Sequence, residues 1–236
     1  MIFIGFNRPQ LIKFGVIILF LGMVLAIIFG LTARAQTKEP DFLITWRANT
    51  YAPAEFTGKI LPTDSSLISA AFEIIDAGRL VNLSKNEIYW YLNDDLIKTG
   101  VGIQKTSFRV VGTGEQELRI KILDYKGRML IKNILIPSVR PEVTLIAPFF
   151  ENKFSNRGIQ ILAKPYFFNV QNEGELEFSW KVNDRPAAKN EKSNQLSVVL
   201  NQEVAPNFEL KTTLNVSNPR KFTERASREI KLTFVK

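Results

Sequence analysis

Ile88-Tyr89-Trp90-Tyr91-Leu92-Asn93-Asp94 and Phe178-Ser179-Trp180-Lys181-Val182-Asn183-Asp184 repeat one pattern ninety positions apart. In each, apolar residues recur at every second position around a tryptophan, and the run breaks at Asn-Asp. A strand with one buried face gives that period, because successive side chains leave a strand on opposite sides. Asn and Asp tolerate positive φ and bond their own backbone, so they close a tight hairpin. Carried once in each half, the pattern restricts the chain to two copies of one β-module.

The rest of the chain agrees with that reading. Short alternating runs at 43–48, 67–75, 87–92, 106–111, 117–123 and 129–136 form the expected strands of a first module. Runs at 143–146, 158–163, 177–182, 195–200, 210–216 and 228–235 form those of a second. Turn residues separate them at the spacing of a β-sandwich. Pro165 is expected to bend or end its strand, since proline has no N–H for the ladder. The expected cores gather Ile88, Trp90 and Leu92 with Leu118, Ile120 and Ile122 in the first module. Phe178, Trp180 and Val182 gather with Leu214 and Val216 in the second.

Ahead of the modules, FGVIILFLGMVLAIIFGL at 14–31 has no charged side chain. As a helix it spans about 27 Å at 1.5 Å per residue, close to a bilayer core of about 30 Å. That exceeds the apolar core of most signal peptides, which favours a retained anchor. Ala33-Arg34-Ala35 before Gln36 is a small-x-small site, so cleavage after Ala35 is the alternative. In both cases Arg8 and Lys13 keep the short tail 1–13 in the cytoplasm, and the remainder of the chain is exported to the periplasm or cell surface.

Residue usage narrows the chemistry. The 236 residues contain no Cys and no His, which removes thiol nucleophiles, imidazole bases, disulfides and His/Cys zinc sites. Arg8, Lys13 and Arg34 supply +3 of the net charge of +8, leaving +5 interspersed with acids. No basic helix or aromatic–Arg platform points to nucleic acid. Asp94-Asp95 and Asp184 are carboxylates at matching turns, and hairpin chemistry accounts for them better than a metal or acid–base pair. The expectation is a non-enzyme without cofactor or metal.

Tyr89-Trp90 with Asn93-Asp94, followed by Gly114, Leu118, Ile120, Ile122, Asp124 and Gly127, resembles bacterial immunoglobulin-like modules of the PKD-like type. The resemblance covers most of 42–138 and, more loosely, 142–236. It departs in lacking the family's Gly-Asp-Gly turn, and no cysteine pair flanks Trp90. It implies an all-β chain of two tandem Ig-like, PKD-like antiparallel sandwiches behind one N-terminal transmembrane or signal helix. The resulting division is a tail 1–13, a membrane segment 14–33, a tether 34–41, domains 42–138 and 142–236, and a linker 139–141 held stiff by Pro137 and Pro141. Modules of this class act as spacers, adhesion domains or assembly parts of the cell envelope.

A surface for a partner is sought where the copies differ. Trp46, Tyr51 and Phe56 lie in the irregular segment TWRANTYAPAEFTGK, and Phe149-Phe150 in a second loop. The expected function is protein–protein contact or spacing in the envelope, within a surface or secretion/pilus-type assembly. The alternative is a carbohydrate- or cell-wall-binding adhesion module using the aromatics near Trp46.

Overall fold

Trp90 and Trp180 each sit at the centre of a separate sandwich. A computed structural model describes residues 39–188, 192–201 and 204–235. Among them no helix is long and apolar enough to cross a membrane, and the apolar run 14–31 and Ala35 lie outside them. The first module comprises β1 (Asp41–Ala48), β2 (Leu67–Asp76), β3 (Arg79–Leu80), β4 (Glu87–Leu92), β5 (Asp95–Val101), β6 (Lys105–Arg109), β7 (Gly114–Tyr125) and β8 (Arg128–Ser138). In one sheet β2 pairs with β1, β3 and β6, and the facing sheet has the order β5-β4-β7-β8.

The second module comprises β9 (Glu142–Ile146), β10 (Lys153–Phe154), β11 (Gly158–Tyr166), β12 (Glu177–Val182), β13 (Arg185–Pro186), β14 (Gln195–Val199), β15 (Glu209–Asn218) and β16 (Lys221–Phe234). Its sheets run β14-β11-β9 and β10-β16-β15-β12-β13. The pairings in both modules are antiparallel apart from β10 on β16, which is parallel. The chain is all-β, its paired antiparallel sheets forming sandwiches of the immunoglobulin-like kind.

Alternation decides which side chains meet. Ile88, Trp90 and Leu92 of β4 stand opposite Ile122, Ile120 and Leu118 of β7, and all six are buried. Phe72 of the facing sheet meets Trp90 edge to face at 5.3 Å. In the second module Trp180 and Phe178 pair with Leu214 and Val216. Trp180, Leu214 and Val216 are buried, whereas Phe178 and Val182 are half-buried and pack against that core.

The repeated motif resolves into one device built twice. Trp90 Nε1–H donates to the Ile103 carbonyl at 2.9 Å, and Trp180 Nε1–H to the Ser193 carbonyl at 2.9 Å, each thirteen residues downstream. Both residues of each hairpin turn are left-handed, with φ of 49° and 72° at Asn93 and Asp94 and 46° and 65° at Asn183 and Asp184. The asparagines then clamp the neighbouring strand. Asn93 N–H donates to the Glu117 carbonyl while its Oδ1 accepts from Glu117 N–H. Asn183 makes the same pair of bonds with Lys211.

Four short or edge strands, β3, β5, β10 and β13, depart from the sequence expectation. β5 shows no clean alternation because much of it is exposed, yet an Asn-Asp hairpin after β4 demands a returning partner. Pro165 does not end its strand as expected: β11 runs through it to Tyr166. There β11 has β9 on one side, with Pro165 opposite Val143, while β14 pairs only as far as Leu162. Ala163 N–H points to the β14 side, where it meets the Asn194 carbonyl. Two residues on, the proline nitrogen falls on that same unpaired side, so no ladder bond is lost.

Truncating Trp90 to alanine removes a fully buried ring, and we expect a loss of about 3–5 kcal/mol in denaturant unfolding. Asn93→Ala, which removes the exposed side-chain acceptor of the Glu117 N–H and places alanine at a φ of 49°, should cost about 1 kcal/mol in the same measurement.

Candidate functional site

The segment between β1 and β2 leaves the first sandwich and docks on the second. Tyr51 N–H donates to the Phe168 carbonyl at 2.8 Å, and Phe167 N–H donates to the Tyr51 carbonyl at 2.7 Å. These two bonds join the modules as a short piece of ladder would. Phe167 adopts φ of +64°, which is costly for a bulky side chain by roughly 1–3 kcal/mol. The ladder bond and the rings around it hold that conformation.

The aromatics of this segment face inward. Phe56 packs edge-on against Tyr166 at 5.5 Å and Phe167 at 5.9 Å. Gly58 makes room for that ring, since a Cβ there would lie 2.6 Å from Phe56 Cζ. Tyr51 packs against the second core, and its hydroxyl reaches Glu173 Oε2 at 3.4 Å. Burial, followed by the Glu173 charge, pushes the Tyr51 phenol above its ordinary pKa. Glu55 pairs with Lys164 across the same junction.

Beside the rings lies a polar network centred on Asn169. Its Nδ2 donates to the Asp64 carbonyl at 3.0 Å and to Glu224 Oε1 at 2.5 Å. Its Oδ1 accepts from Ser66 Oγ at 2.8 Å, and its N–H donates to Glu224 Oε2 at 3.0 Å. Glu224 is only 2% exposed, a burial that an unpartnered carboxylate would not survive. Asn218 Nδ2 and the Lys221 ammonium complete its shell at 2.9 and 3.1 Å. Lys221 also donates to the Asp64 carbonyl and lies 3.3 Å from Asp64 Oδ2. The Asp64 carboxyl is held below its ordinary 3.8 first by the Gly112 N–H, then by Ser65 and Lys221, with burial acting against them.

The five residues singled out as a surface are put to different uses. Trp46 is half-buried on the first core, with the Lys59 ammonium 4.0 Å over its ring. Tyr51 and Phe56 are joined to Tyr166 and Phe167 in the junction. Phe149 packs against Phe154 with ring centres 5.6 Å apart and planes tilted by 42°, while Phe150 is 85% exposed. The hairpin acids sit apart, Asp94 paired with Arg119 at 2.8 Å in one module and Asp184 with Lys211 at 3.1 Å in the other. Among the described residues no group of three or more Asp or Glu is placed to hold a metal.

Asp64, Asn169, Lys221 and Glu224 carry the junction and were not legible as such. The available signal was Glu224, an acid in register with Ala226, Ile230, Leu232 and Phe234 on one face of β16. An acid on an apolar register implies a buried partner.

No protein-family model and no curated protein matches this sequence. Solved structures similar in backbone trace include the fibronectin(III)-like modules of Clostridium thermocellum CbhA, with 13% identity, 82% of this chain and 94% of that one covered, and a TM-score of 0.26. The three N-terminal domains of the bacteriophage RB49 outer capsid protein Hoc share 11% identity over 82% of this chain and 59% of that one, with a TM-score of 0.41. Murine CEACAM1b shares 14% identity over 82% of this chain and 100% of that one, with a TM-score of 0.26. The immunoglobulin-like fold of the present chain rests on its own paired sheets and antiparallel order.

Asn169→Ala keeps the main-chain N–H but removes the Nδ2 donor from the buried Glu224 carboxylate and from the Asp64 carbonyl, and we expect about 1–3 kcal/mol of destabilisation in denaturant unfolding. The depressed Asp64 carboxyl contributes stability above the ordinary carboxylate pKa and loses it as pH falls through the folded value. Asp64→Asn should therefore melt below wild type near neutral pH, and the two curves should converge under about pH 4.

Proposed function

We propose that this chain is a non-enzymatic, membrane-anchored extracytoplasmic protein whose two immunoglobulin-like modules act as one stiff spacer presenting surfaces to envelope partners. The observation that carries this reading is the junction. A main-chain bridge, an aromatic cluster and the Asn169–Glu224 network all tie the second module to a segment of the first. The three-residue linker 139–141 is tied as well, because Val139 N–H donates to the Pro62 carbonyl at 2.8 Å. A spacer transmits position only if its modules do not swivel, and inter-domain motion is the default unless such contacts oppose it.

Two further features support the reading. The hairpin carboxylates, the candidates for acid–base chemistry, are occupied in separate ion pairs. The outward side of edge strand β8 shows Met129, Ile131 and Leu135, each at least half exposed, and Phe150 stands free on the second module. Exposed aliphatic and aromatic groups of this kind suit protein contact. The uncharged segment 14–31 would anchor the modules outside the membrane.

Spin labels on Thr99→Cys and Ser197→Cys, one in each module of a chain without native cysteine, should give a single narrow distance distribution. A broad or multimodal distribution would refute the stiff spacer. For the anchor, the membrane fraction should yield the full chain by intact mass; a soluble form beginning at Gln36 would replace the anchor with a cleaved signal.

A further inference from the structure

The outer face of the first sheet carries a feature that the spacer reading does not use. Side chains there alternate away from the core, and the strand register sets them in rows. Arg47 of β1 lies beside Ser69 of β2, which lies beside Ser107 of β6. The next row is Thr45, Ala71 and Lys105. The floor along β2 is thus small and hydroxyl-bearing, and long cationic side chains rise on both sides of it. Lys98 of β5 joins the wall, and these residues line an open depression of about 720 Å³. A second depression of about 370 Å³ continues it through Thr45, Ala71 and Lys105 towards Glu73.

The walls stand two strand spacings apart, about 10 Å, and the floor from Ser69 to Glu73 runs about 15 Å. Arg47, Lys98 and Lys105 form no ion pair among the described residues, in contrast to Arg119, Lys126 and Lys211 elsewhere on the molecule. Ser69 Oγ and Ser107 Oγ lie 3.1 Å apart, so one bond between them uses a single proton and leaves a donor and several acceptor positions outward. Glu73 is the one acid at the end of the trough.

We propose that this trough binds an anionic glycan, a polysaccharide chain bearing carboxylate or phosphate groups. Its length and width suit an extended polymer rather than a compact metabolite. Cations on both walls match charges repeated along such a chain, and serine and threonine hydroxyls exchange hydrogen bonds with sugar hydroxyls in either direction. A protein partner is disfavoured because the centre of the trough offers Ala71 and hydroxyls where a protein interface needs a bulky apolar anchor. The site is independent of the membrane anchor and of the stiffness of the junction.

The full chain in non-ionic detergent is tested for binding to polygalacturonate, which carries carboxylates, to phosphomannan, which carries phosphates, to neutral dextran and to phosphatidylglycerol vesicles. We expect salt-sensitive binding to at least one anionic glycan and none to dextran, the two glycans telling carboxylate from phosphate preference. Arg47→Gln/Lys105→Gln should weaken it about tenfold or more, as loss of charge-assisted bonds implies. Ser69→Asp, which sets a carboxylate on the exposed floor, should weaken it similarly. Arg185→Gln/Lys231→Gln removes equal charge from the second module and should change affinity less than about twofold; unfolding midpoints confirm that each variant folds. The proposal fails if neither anionic glycan binds, if the control pair weakens binding as much as the trough pair, or if vesicles are bound more tightly than both glycans.

Discussion

Each sandwich depends on how its tryptophan is accommodated. An indole is the largest group either core must enclose, and its N–H is a donor that burial would leave unsatisfied. Both modules solve this alike, with the ring against the neighbouring strand and the N–H on a main-chain carbonyl thirteen residues downstream. That bond fixes where the chain returns after the hairpin. The Asn clamp at the strand's end then fixes the start of the next pairing strand. Packing and backbone register are therefore set by two residues three positions apart.

The junction extends the same logic between modules. A segment rich in aromatics has no room in the first core, which Trp90 and Phe72 already fill, so it finds its apolar partners on the neighbour. Tyr51 and Phe56 are accordingly structural, and the surface left over is of another kind. The first sheet's outer face is polar and cationic with a small floor, while β8 exposes aliphatic groups. The two chemically distinct faces thus lie on opposite sheets of the first module.

Legibility followed locality. The strands 87–92 and 177–182 were readable to the residue because a tryptophan at period two and an Asn-Asp stop are signals carried within a few positions. β16 was not: it begins at Lys221, and its first half alternates Glu224 with Ala226 on the inward side. Periodicity treats such an acid as solvent-facing, and only the arrival of Asn169 and Asn218 makes its burial tolerable. Pro165 misled for the converse reason. Its effect depends on whether the strand has a neighbour on the side its nitrogen faces, which no local window contains.

The sequence by itself determined the period and the hairpins, because these arise from φ preferences and from side chains alternating across a strand. Tertiary structure alone decided which aromatics are spent inside the chain and which cations remain unpaired. Tyr51 meets Phe168, and Asp64 meets Asn169 and Lys221, across more than a hundred positions, and Arg47 and Lys105 share one face of the sheet only because β2 pairs with both of their strands. Contacts of that range depend on sheet order and module docking, which are global properties of the packed chain and leave no imprint on the neighbours of any one residue.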